Sequence, residues 1–224
     1  MNLKLKLQSI DWRRYAPLIS MLVFPFLGMM YAMTNSPVPN QDVSQLITSV
    51  DTAIPFIKYF ALPYSVWIFY IYVCLVYFFF KEPNAYYRGL LTYIVCALIC
   101  YMIYSVFQTT VPRPVVTGND PFSDLVRFIY NRDQPFNCFP SIHCFSSYMV
   151  MRILWTSSFR NKWNMILITG MSSIIILSTL FVKQHVIMDA LAGILLVELV
   201  IPLIVLLERS FRTVKQRQRS TFGA

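Results

Sequence analysis

Long apolar runs alternate with short polar segments along almost the whole chain. Five runs have about the length that an α-helix needs to cross a hydrocarbon core, roughly 20 residues; they cover residues 15–33, 60–80, 89–107, 165–182 and 186–207. A further run, from residue 143 to about 155, is shorter and must include neighbouring polar residues to reach across. The pattern predicts an all-α, polytopic membrane protein with six transmembrane helices, of which this fourth helix has the weakest signal.

The polar segments between the runs are typical of loops. Residues 35–55 hold three prolines and no lysine or arginine, residues 81–88 form a basic turn, and residues 108–141 are the longest polar stretch. A cleaved signal peptide is the alternative for the first run, but its length and the poor cleavage site at Tyr31-Ala-Met-Thr34 favour a retained helix. The sequence predicts a single membrane domain, with an interfacial basic segment at 1–14, a six-helix core at 15–207 and a basic cytoplasmic tail at 208–224.

The composition and the distribution of charge strengthen the membrane interpretation. Hydrophobic residues make up 57% of the chain and charged residues 13%, which is too apolar for a soluble domain of this size. The formal charge of +9 lies mostly beside the apolar runs, where lysine and arginine fix topology and contact anionic lipid, so nucleic acid is not a predicted partner. Placing both termini in the cytoplasm puts 14 of the 19 lysines and arginines on the cytoplasmic side, as the positive-inside rule requires.

The only two histidines, His143 and His185, stand where polar loops meet apolar runs. The predicted topology brings residues 108–114, 140–143 and 183–189 to one extracytoplasmic face. Because histidine exchanges a proton near neutral pH, two of them at one face indicate acid–base or nucleophilic chemistry.

Other polar residues of these segments suit phosphate chemistry. Asp189 follows His185 by four residues at a helix start, so its carboxylate can accept a hydrogen bond from the imidazole Nδ1–H and leave Nε2 free to attack. Arg113, flanked by two prolines, offers a planar fork of donors that matches phosphate. Ser141 adds a hydroxyl at a helix N-terminus, where free N–H groups favour anions.

Three motifs carry a family resemblance: Arg113-Pro114, Pro140-Ser-Ile-His143 and Ser178-Thr-Leu-Phe-Val-Lys-Gln-His185-Val-Ile-Met-Asp189. In order and topology they resemble the signatures of the type 2 phosphatidic acid phosphatase superfamily, over roughly residues 60–207. The resemblance implies a haloperoxidase-like helical core, no metal or other cofactor, and a membrane lipid with a phosphate head group as the substrate. It also implies that His185 is the nucleophile, Asp189 its orienting partner and His143 the general acid, while Arg113 and Ser141 bind the phosphate.

The chain departs from the family pattern at three positions. Val106 replaces the lysine of the first motif, Ile142 the glycine of the second and Thr179 the arginine of the third. Gln108 and Lys183 are the polar residues predicted to bind phosphate in their place. These departures resemble the branch of inositol phosphorylceramide synthases, and fewer cations suit a phosphodiester, with its single negative charge, better than a monoester.

The sequence therefore predicts a lipid phosphatase of the cell membrane that hydrolyses a lipid-linked phosphate or pyrophosphate on the extracytoplasmic side through a phosphohistidine. Three alternatives are a head-group phosphotransferase acting on phosphodiesters, a non-enzymatic lipid transporter, and a transition-metal site formed by His143, His185, Asp189 and Cys138.

Cys138 and Cys144 are more typical of packed free thiols than of a disulfide, and Glu198 is more typical of a residue that forms a hydrogen bond inside the bundle. The lipid tail, the head group and the oligomeric state are left open.

Overall fold

The computed structural model describes residues 14–34 and 42–222, with side chains as far as position 210. The predicted interfacial segment at 1–14 thus falls almost wholly outside the described residues, as do most side chains of the basic tail. Within the described residues the chain is helical and contains no strand, only two isolated bridges, Ser44 with Thr109 and Thr110 with Phe136.

Eight helices make up the described part of the chain. They are α1 (Ala16–Thr34, which opens with the 3-10 turn Ala16–Leu22), α2 (Ser49–Ala53), α3 (Lys58–Lys81), α4 (Pro83–Val106), α5 (Pro121–Arg132), α6 (Ile142–Thr156), α7 (Lys162–Phe181) and α8 (Ile187–Phe222). Five of them are long and apolar enough to cross a membrane: α1, α3, α4, α7 and the part of α8 at Ile187–Ser210. The predicted all-helical class with several membrane-crossing helices is thereby confirmed.

Helix α6 corresponds to the fourth predicted span. It has 15 residues, a length of about 22 Å at 1.5 Å per residue, whereas the hydrocarbon core is about 30 Å thick. Eleven of these residues are buried, including His143, Ser146 and Ser147, because α3, α4, α7 and α8 pack around the helix. A helix enclosed in this way needs no apolar surface toward lipid, which explains its weak hydropathy signal. A sixth span stays a prediction.

The connection between α3 and α4 is shorter than the sequence indicates. The pattern predicts a basic turn over 81–88, but α4 already begins at Pro83 and leaves Glu82 as the one residue between the helices. Proline is favoured at the first helical position, since the N–H that it lacks would have no partner there. The Glu82 carboxylate then accepts hydrogen bonds from the amide and hydroxyl of Ser158, at 3.0 and 2.7 Å, beyond the end of α6.

The long polar stretch contains a helix that the hydropathy pattern does not predict. Helix α5 begins after Asp120, whose carboxylate accepts hydrogen bonds from the amides of Phe122 and Ser123. Only one side of α5 is apolar, and Val126 and Ile129 pack there against α3. An amphipathic helix of this kind covers the bundle without raising the mean hydropathy of the segment.

Close packing of α8 against the start of α6 depends on Gly193. A Cβ atom at this position would lie 2.8 Å from the carbonyl oxygen of Ser141 and 3.1 Å from the amide nitrogen of Phe145. Glycine therefore allows the two helix segments that carry the histidine motifs to approach each other.

Charged side chains within the bundle are paired. Arg88 of α4 lies 2.8 Å from Glu208 of α8. Glu198 accepts hydrogen bonds from the Tyr148 hydroxyl at 2.5 Å and from Arg152 Nε at 2.8 Å. These contacts agree with the interpretation of Glu198 as a hydrogen-bonding residue of the bundle.

Candidate active site

The corner between α7 and α8 determines where His185 lies. The carbonyl oxygen of Thr179, near the end of α7, accepts hydrogen bonds from the amides of Gln184 and His185 at 3.0 and 3.1 Å. Lys183 has a φ of 55°, the left-handed conformation with which many helices end. The chain therefore reverses within a few residues and presents His185 just before α8 begins.

Helix α2 braces this corner. The Nζ atom of Lys183 donates hydrogen bonds to the carbonyl oxygens of Asp51 at 3.0 Å and Ile54 at 2.6 Å. The Asp51 carboxylate accepts the amide of Ile187, the first residue of α8, at 2.8 Å. Burial alone would raise the pKa of Asp51, but hydrogen bonds from Thr48 and Ile187 and the charge of Lys183 lower it on balance. Two of the three N–H donors of Lys183 thus go to the backbone.

His185 and Asp189 are in contact, as their spacing predicts. The imidazole Nδ1 lies 3.3 Å from Asp189 Oδ2, which also accepts the amide of Val186 at 2.9 Å. The carboxylate next to Nδ1 favours the tautomer with the proton on Nδ1, which leaves the Nε2 lone pair unprotonated. Asp189 is almost completely buried, and within the described part of the chain its Oδ1 atom has no hydrogen-bond partner.

His143 faces His185 directly. Its Nδ1 atom lies 3.4 Å from His185 Nε2, and both side chains are buried. The ring of Tyr64 stacks on His143 at a centroid distance of 4.5 Å, and the Trp67 ring lies 4.1 Å away. The indole of Trp67 is itself fixed by a 2.7 Å hydrogen bond to the Ser146 hydroxyl. Two aromatic rings of α3 therefore hold the His143 imidazole against its partner.

Ser141 contacts the segment that carries Asp189, whereas the Gln108 side chain contacts Asn137. Ser141 is the N-cap of α6: its hydroxyl accepts the amide of Cys144 at 3.2 Å, and its own amide donates to the carbonyl oxygen of Asp189 at 3.1 Å. Gln108 is completely buried, and its side chain donates to Asn137 at 3.3 Å. Of the predicted site residues, Gln108, Ser141 and Asp189 border neither cavity lined by His185, whereas His143, Arg113 and Lys183 each border one of them.

Arg113 is held by the surrounding backbone. Its guanidinium donates hydrogen bonds to the carbonyl oxygens of Tyr130 at 3.1 Å and Asp133 at 2.6 Å and to the side chain of Gln184, and it lies over the Tyr130 ring at 4.5 Å. Burial lowers the pKa of Arg113, although the nearby Asp133 opposes the shift. The Nε donor is buried, and no described residue accepts a hydrogen bond from it. The guanidinium contacts hold the arginine beside Gln184, the residue that precedes His185.

Asp133 is a residue of the site that sequence reasoning missed. It follows α5 and borders the same cavity as His143 and His185. Its carboxylate accepts hydrogen bonds from the hydroxyls of Tyr31 on α1 and Tyr64 on α3, each at 2.7 Å. Nothing in the local pattern marks Asp133, because it belongs to a polar stretch and only the packing of α5 brings it to the histidines.

His185 borders two cavities. The larger, of about 480 Å³, is lined by aromatic and apolar residues of α1, α3 and α4, together with His143 and Arg132. The smaller, of about 380 Å³, lies beside α2 and the corner between α7 and α8, and is bordered by Arg113, Lys183 and Asp51. His185 thus lies between two cavities that are both lined largely by apolar residues, and the cationic side chains of Arg113 and Lys183 border the smaller one.

The five cysteines are free and buried. Among the described residues, one group has atoms spaced closely enough to hold a metal ion: Cys138, His185 and Asp189, whose ligand atoms lie within 4.8 Å of one another. His143 is not a member of this group, although the sequence includes it in the metal alternative.

These features define a helical membrane protein whose candidate site joins two imidazoles, a carboxylate and an arginine at one end of the bundle. A family model described as the PAP2 superfamily matches residues 41–203, and the chain belongs to that superfamily. No curated protein and no solved structure matches the chain. The resemblance drawn from the three motifs is confirmed, and membership supports a function of the phosphatase or phosphotransferase type.

Proposed function

We propose that the protein is a lipid phosphatase that removes a lipid-linked phosphate or pyrophosphate group on the extracytoplasmic side of the cell membrane. The observation that carries the proposal is the chain of contacts from Asp189 through His185 to His143. A carboxylate behind one imidazole and a second imidazole in front of it are the parts that a nucleophile and a general acid require. One membrane domain with six spans and cytoplasmic termini is the topology that accompanies the proposal.

The reaction proceeds in two steps. His185 Nε2 forms a bond to phosphorus while the ester P–O bond breaks, and protonated His143 gives its proton to the departing lipid oxygen. Water then attacks the phosphohistidine, neutral His143 takes a proton from that water, and phosphate leaves with His185 restored. Asp189 keeps the Nδ1 proton in place and balances the positive charge that develops on His185.

The two imidazole rings must move apart before the substrate can bind between them. A distance of 3.4 Å between His185 Nε2 and His143 Nδ1 leaves no room for a phosphoryl group between them. We therefore expect the rings to separate when the phosphate enters. His143 has only ring stacking and the His185 contact to hold its imidazole, whereas His185 is anchored at Nδ1, so the movement belongs mainly to His143.

The phosphate oxygens are bound from the smaller cavity. Arg113 and Lys183 both border it, beside His185, and supply two positive charges. The unpartnered Nε of Arg113 points to a donor still available for an anion. Ser141, at the N-terminus of α6, contributes its hydroxyl hydrogen. Gln108 positions Asn137 through a hydrogen bond and does not itself contact the phosphate.

The test is phosphate release by the purified protein in chelator, with a panel of lipid phosphomonoesters and pyrophosphates in mixed micelles. We expect release by the wild type and a loss of at least about 1,000-fold in His185→Ala, since the nucleophile is removed. Met188→Ala is the matched control, because this neighbouring α8 side chain is exposed on the outside of the bundle. Equal activity in His185→Ala and wild type would overturn the phosphohistidine pathway.

A head-group phosphotransferase is the second candidate function. It is favoured by the hydrogen bonds that already occupy Lys183 and most of Arg113, since a phosphodiester with one charge needs fewer free donors than a monoester. A radiolabelled phosphodiester lipid with a hydroxyl acceptor distinguishes the two. Exchange without phosphate release, again lost in His185→Ala, would favour the transferase, and no reaction with any lipid would favour a transporter.

A further inference from the structure

A thiol, an imidazole and a carboxylate meet beside the histidine pair. The ligand atoms of Cys138, His185 and Asp189 all lie within 4.8 Å of one another, and all three residues are buried. Cys138 has no part in the phosphatase reaction proposed above. The phosphatase reaction therefore does not explain why a thiol lies beside His185 and Asp189.

The backbone around Cys138 is fixed, so the thiol position is well defined. The Thr109 hydroxyl accepts hydrogen bonds from the amides of Cys138 at 3.1 Å and Phe139 at 2.9 Å. Val111 and Val186 pack around the cysteine. These contacts tie the loop before α6 to the loop after α4 and hold the sulfur toward the corner that carries His185.

A second observation also indicates a ligand at this place. Asp189 is only 1% exposed, and its Oδ1 atom has no hydrogen-bond partner among the described residues. A buried carboxylate oxygen without a partner is costly, because its charge has left water without a hydrogen bond to compensate. A cation bound between this carboxylate, the thiol and the imidazole would remove that cost.

We propose that Cys138, His185 and Asp189 form an inhibitory site for a thiolate-binding divalent cation such as Zn²⁺. An ion centred among three atoms no more than 4.8 Å apart lies within about 2.8 Å of each, and inward shifts of less than about 1 Å reach the 2.0–2.3 Å typical of zinc ligands. One sulfur, one nitrogen and one oxygen ligand suit zinc and exclude magnesium, which prefers oxygen alone. On binding, the thiol gives up its proton to solvent.

Occupation of the site removes His185 from any other task. An ion on Nε2 takes the lone pair that attacks phosphorus, and an ion on Nδ1 breaks the contact with Asp189. Zinc would therefore inhibit, and a chelator would raise rather than lower activity. Binding itself does not depend on the proposed phosphatase function.

The first experiment measures binding alone. Co²⁺ is titrated into the purified full-length protein in detergent, and the near-ultraviolet absorption of a thiolate–cobalt bond is followed, with Zn²⁺ added afterwards to displace it. We expect the band in wild type and its loss in Cys138→Ser and Cys138→Ala. Cys144→Ser is the control and should keep the band, because it removes the thiol on the other side of the same motif. Absence of the band in folded wild type, or its survival in both Cys138 variants, would overturn the proposal.

A second experiment measures inhibition, with each variant compared with its own zinc-free rate. The zinc concentration for half inhibition should rise by more than about tenfold in Cys138→Ala, since even outer partners of metal sites contribute about 10- to 100-fold to affinity. Cys144→Ser should behave like wild type. Equal zinc sensitivity in wild type and Cys138→Ala would contradict the site. If no phosphatase activity exists, the cobalt titration still decides the matter, so failure of the two proposals can be told apart.

Discussion

Asp133 accepts two tyrosine hydroxyls and lies beside the histidines, so at the scale of single residues it connects the candidate site to the rest of the bundle. Tyr31 reaches it from α1, and Tyr64 reaches it from α3 while stacking on His143. The backbone oxygen of Asp133 also accepts Arg113. One residue therefore positions both the predicted general acid and the predicted phosphate-binding arginine.

Removing the two tyrosine hydroxyls should destabilise the protein without changing the ring stacking. We expect Tyr31→Phe and Tyr64→Phe each to lower the free energy of unfolding by about 1–2 kcal/mol, because each deletes a hydrogen bond to a carboxylate between helices. The double variant should lose more than either single one, since Asp133 then keeps no hydroxyl partner. Denaturant unfolding in detergent measures the change. Tyr59→Phe, on an exposed ring, is the control, and a double variant as stable as this control would refute the role of Asp133.

At the scale of elements, the site depends on the approach of α8 to the start of α6. The amide of Ser141 donates to the Asp189 carbonyl oxygen, which joins the two segments in register. Gly193, one turn further along α8, leaves the space that this contact needs. The packing of these two backbone segments thus sets how closely the main chains of His143 and His185 approach each other.

A methyl group at Gly193 should therefore separate the two helices. We expect Gly193→Ala to lower the free energy of unfolding by about 1–3 kcal/mol, because the new Cβ meets backbone that cannot move aside. Gly170→Ala on α7 is a matched control: its Cβ would meet nothing within 4 Å, so the better helix propensity of alanine should raise stability by about 0.5–1 kcal/mol. Thermal unfolding of both variants decides, and equal gains at the two positions would show that the close approach is unimportant.

The sequence predicts some of these helices and contacts but not others. Hydropathy locates the long helices because lipid-facing surfaces must be apolar, and the four-residue spacing identifies the contact of His185 with Asp189, although His185 lies just before α8 and the Asp189 carboxylate reaches back to it. The sequence does not predict α5, whose single apolar side is masked by polar neighbours. Nor does it predict Asp133 or Tyr31, because their contact joins residues 102 positions apart and has no local signature.

At the scale of the whole molecule, contacts at both ends of α6 favour a helix that crosses the membrane. Its start touches Asp189 at the end of the bundle that holds Arg113 and Lys183. Its far end is linked through Ser158 to Glu82, between α3 and α4. A helix that joins opposite ends of the bundle supports six spans, even though α6 is short.

Accessibility labelling tests this topology. In a variant without the five native cysteines, single cysteines at Val115 and Lys162, both exposed, should be labelled from opposite sides of sealed vesicles by a membrane-impermeant maleimide. Six spans put Val115 outside and Lys162 in the cytoplasm. Labelling of both positions from the same side would mean that α6 does not cross. Detergent-solubilised protein, in which both must react, is the control for reactivity.

The position of His185 between two cavities has a consequence for molecular traffic. One cavity is lined by residues of α1 and α3, and the other lies beside α2 and the loop that carries Arg113. In a phosphatase with this arrangement, the lipid and the phosphate ion would not have to pass through the same opening. If the proposed phosphatase function holds, we expect the lipid to occupy the cavity between the helices and the phosphate group to lie toward Arg113 and Lys183, with His185 in contact with both spaces.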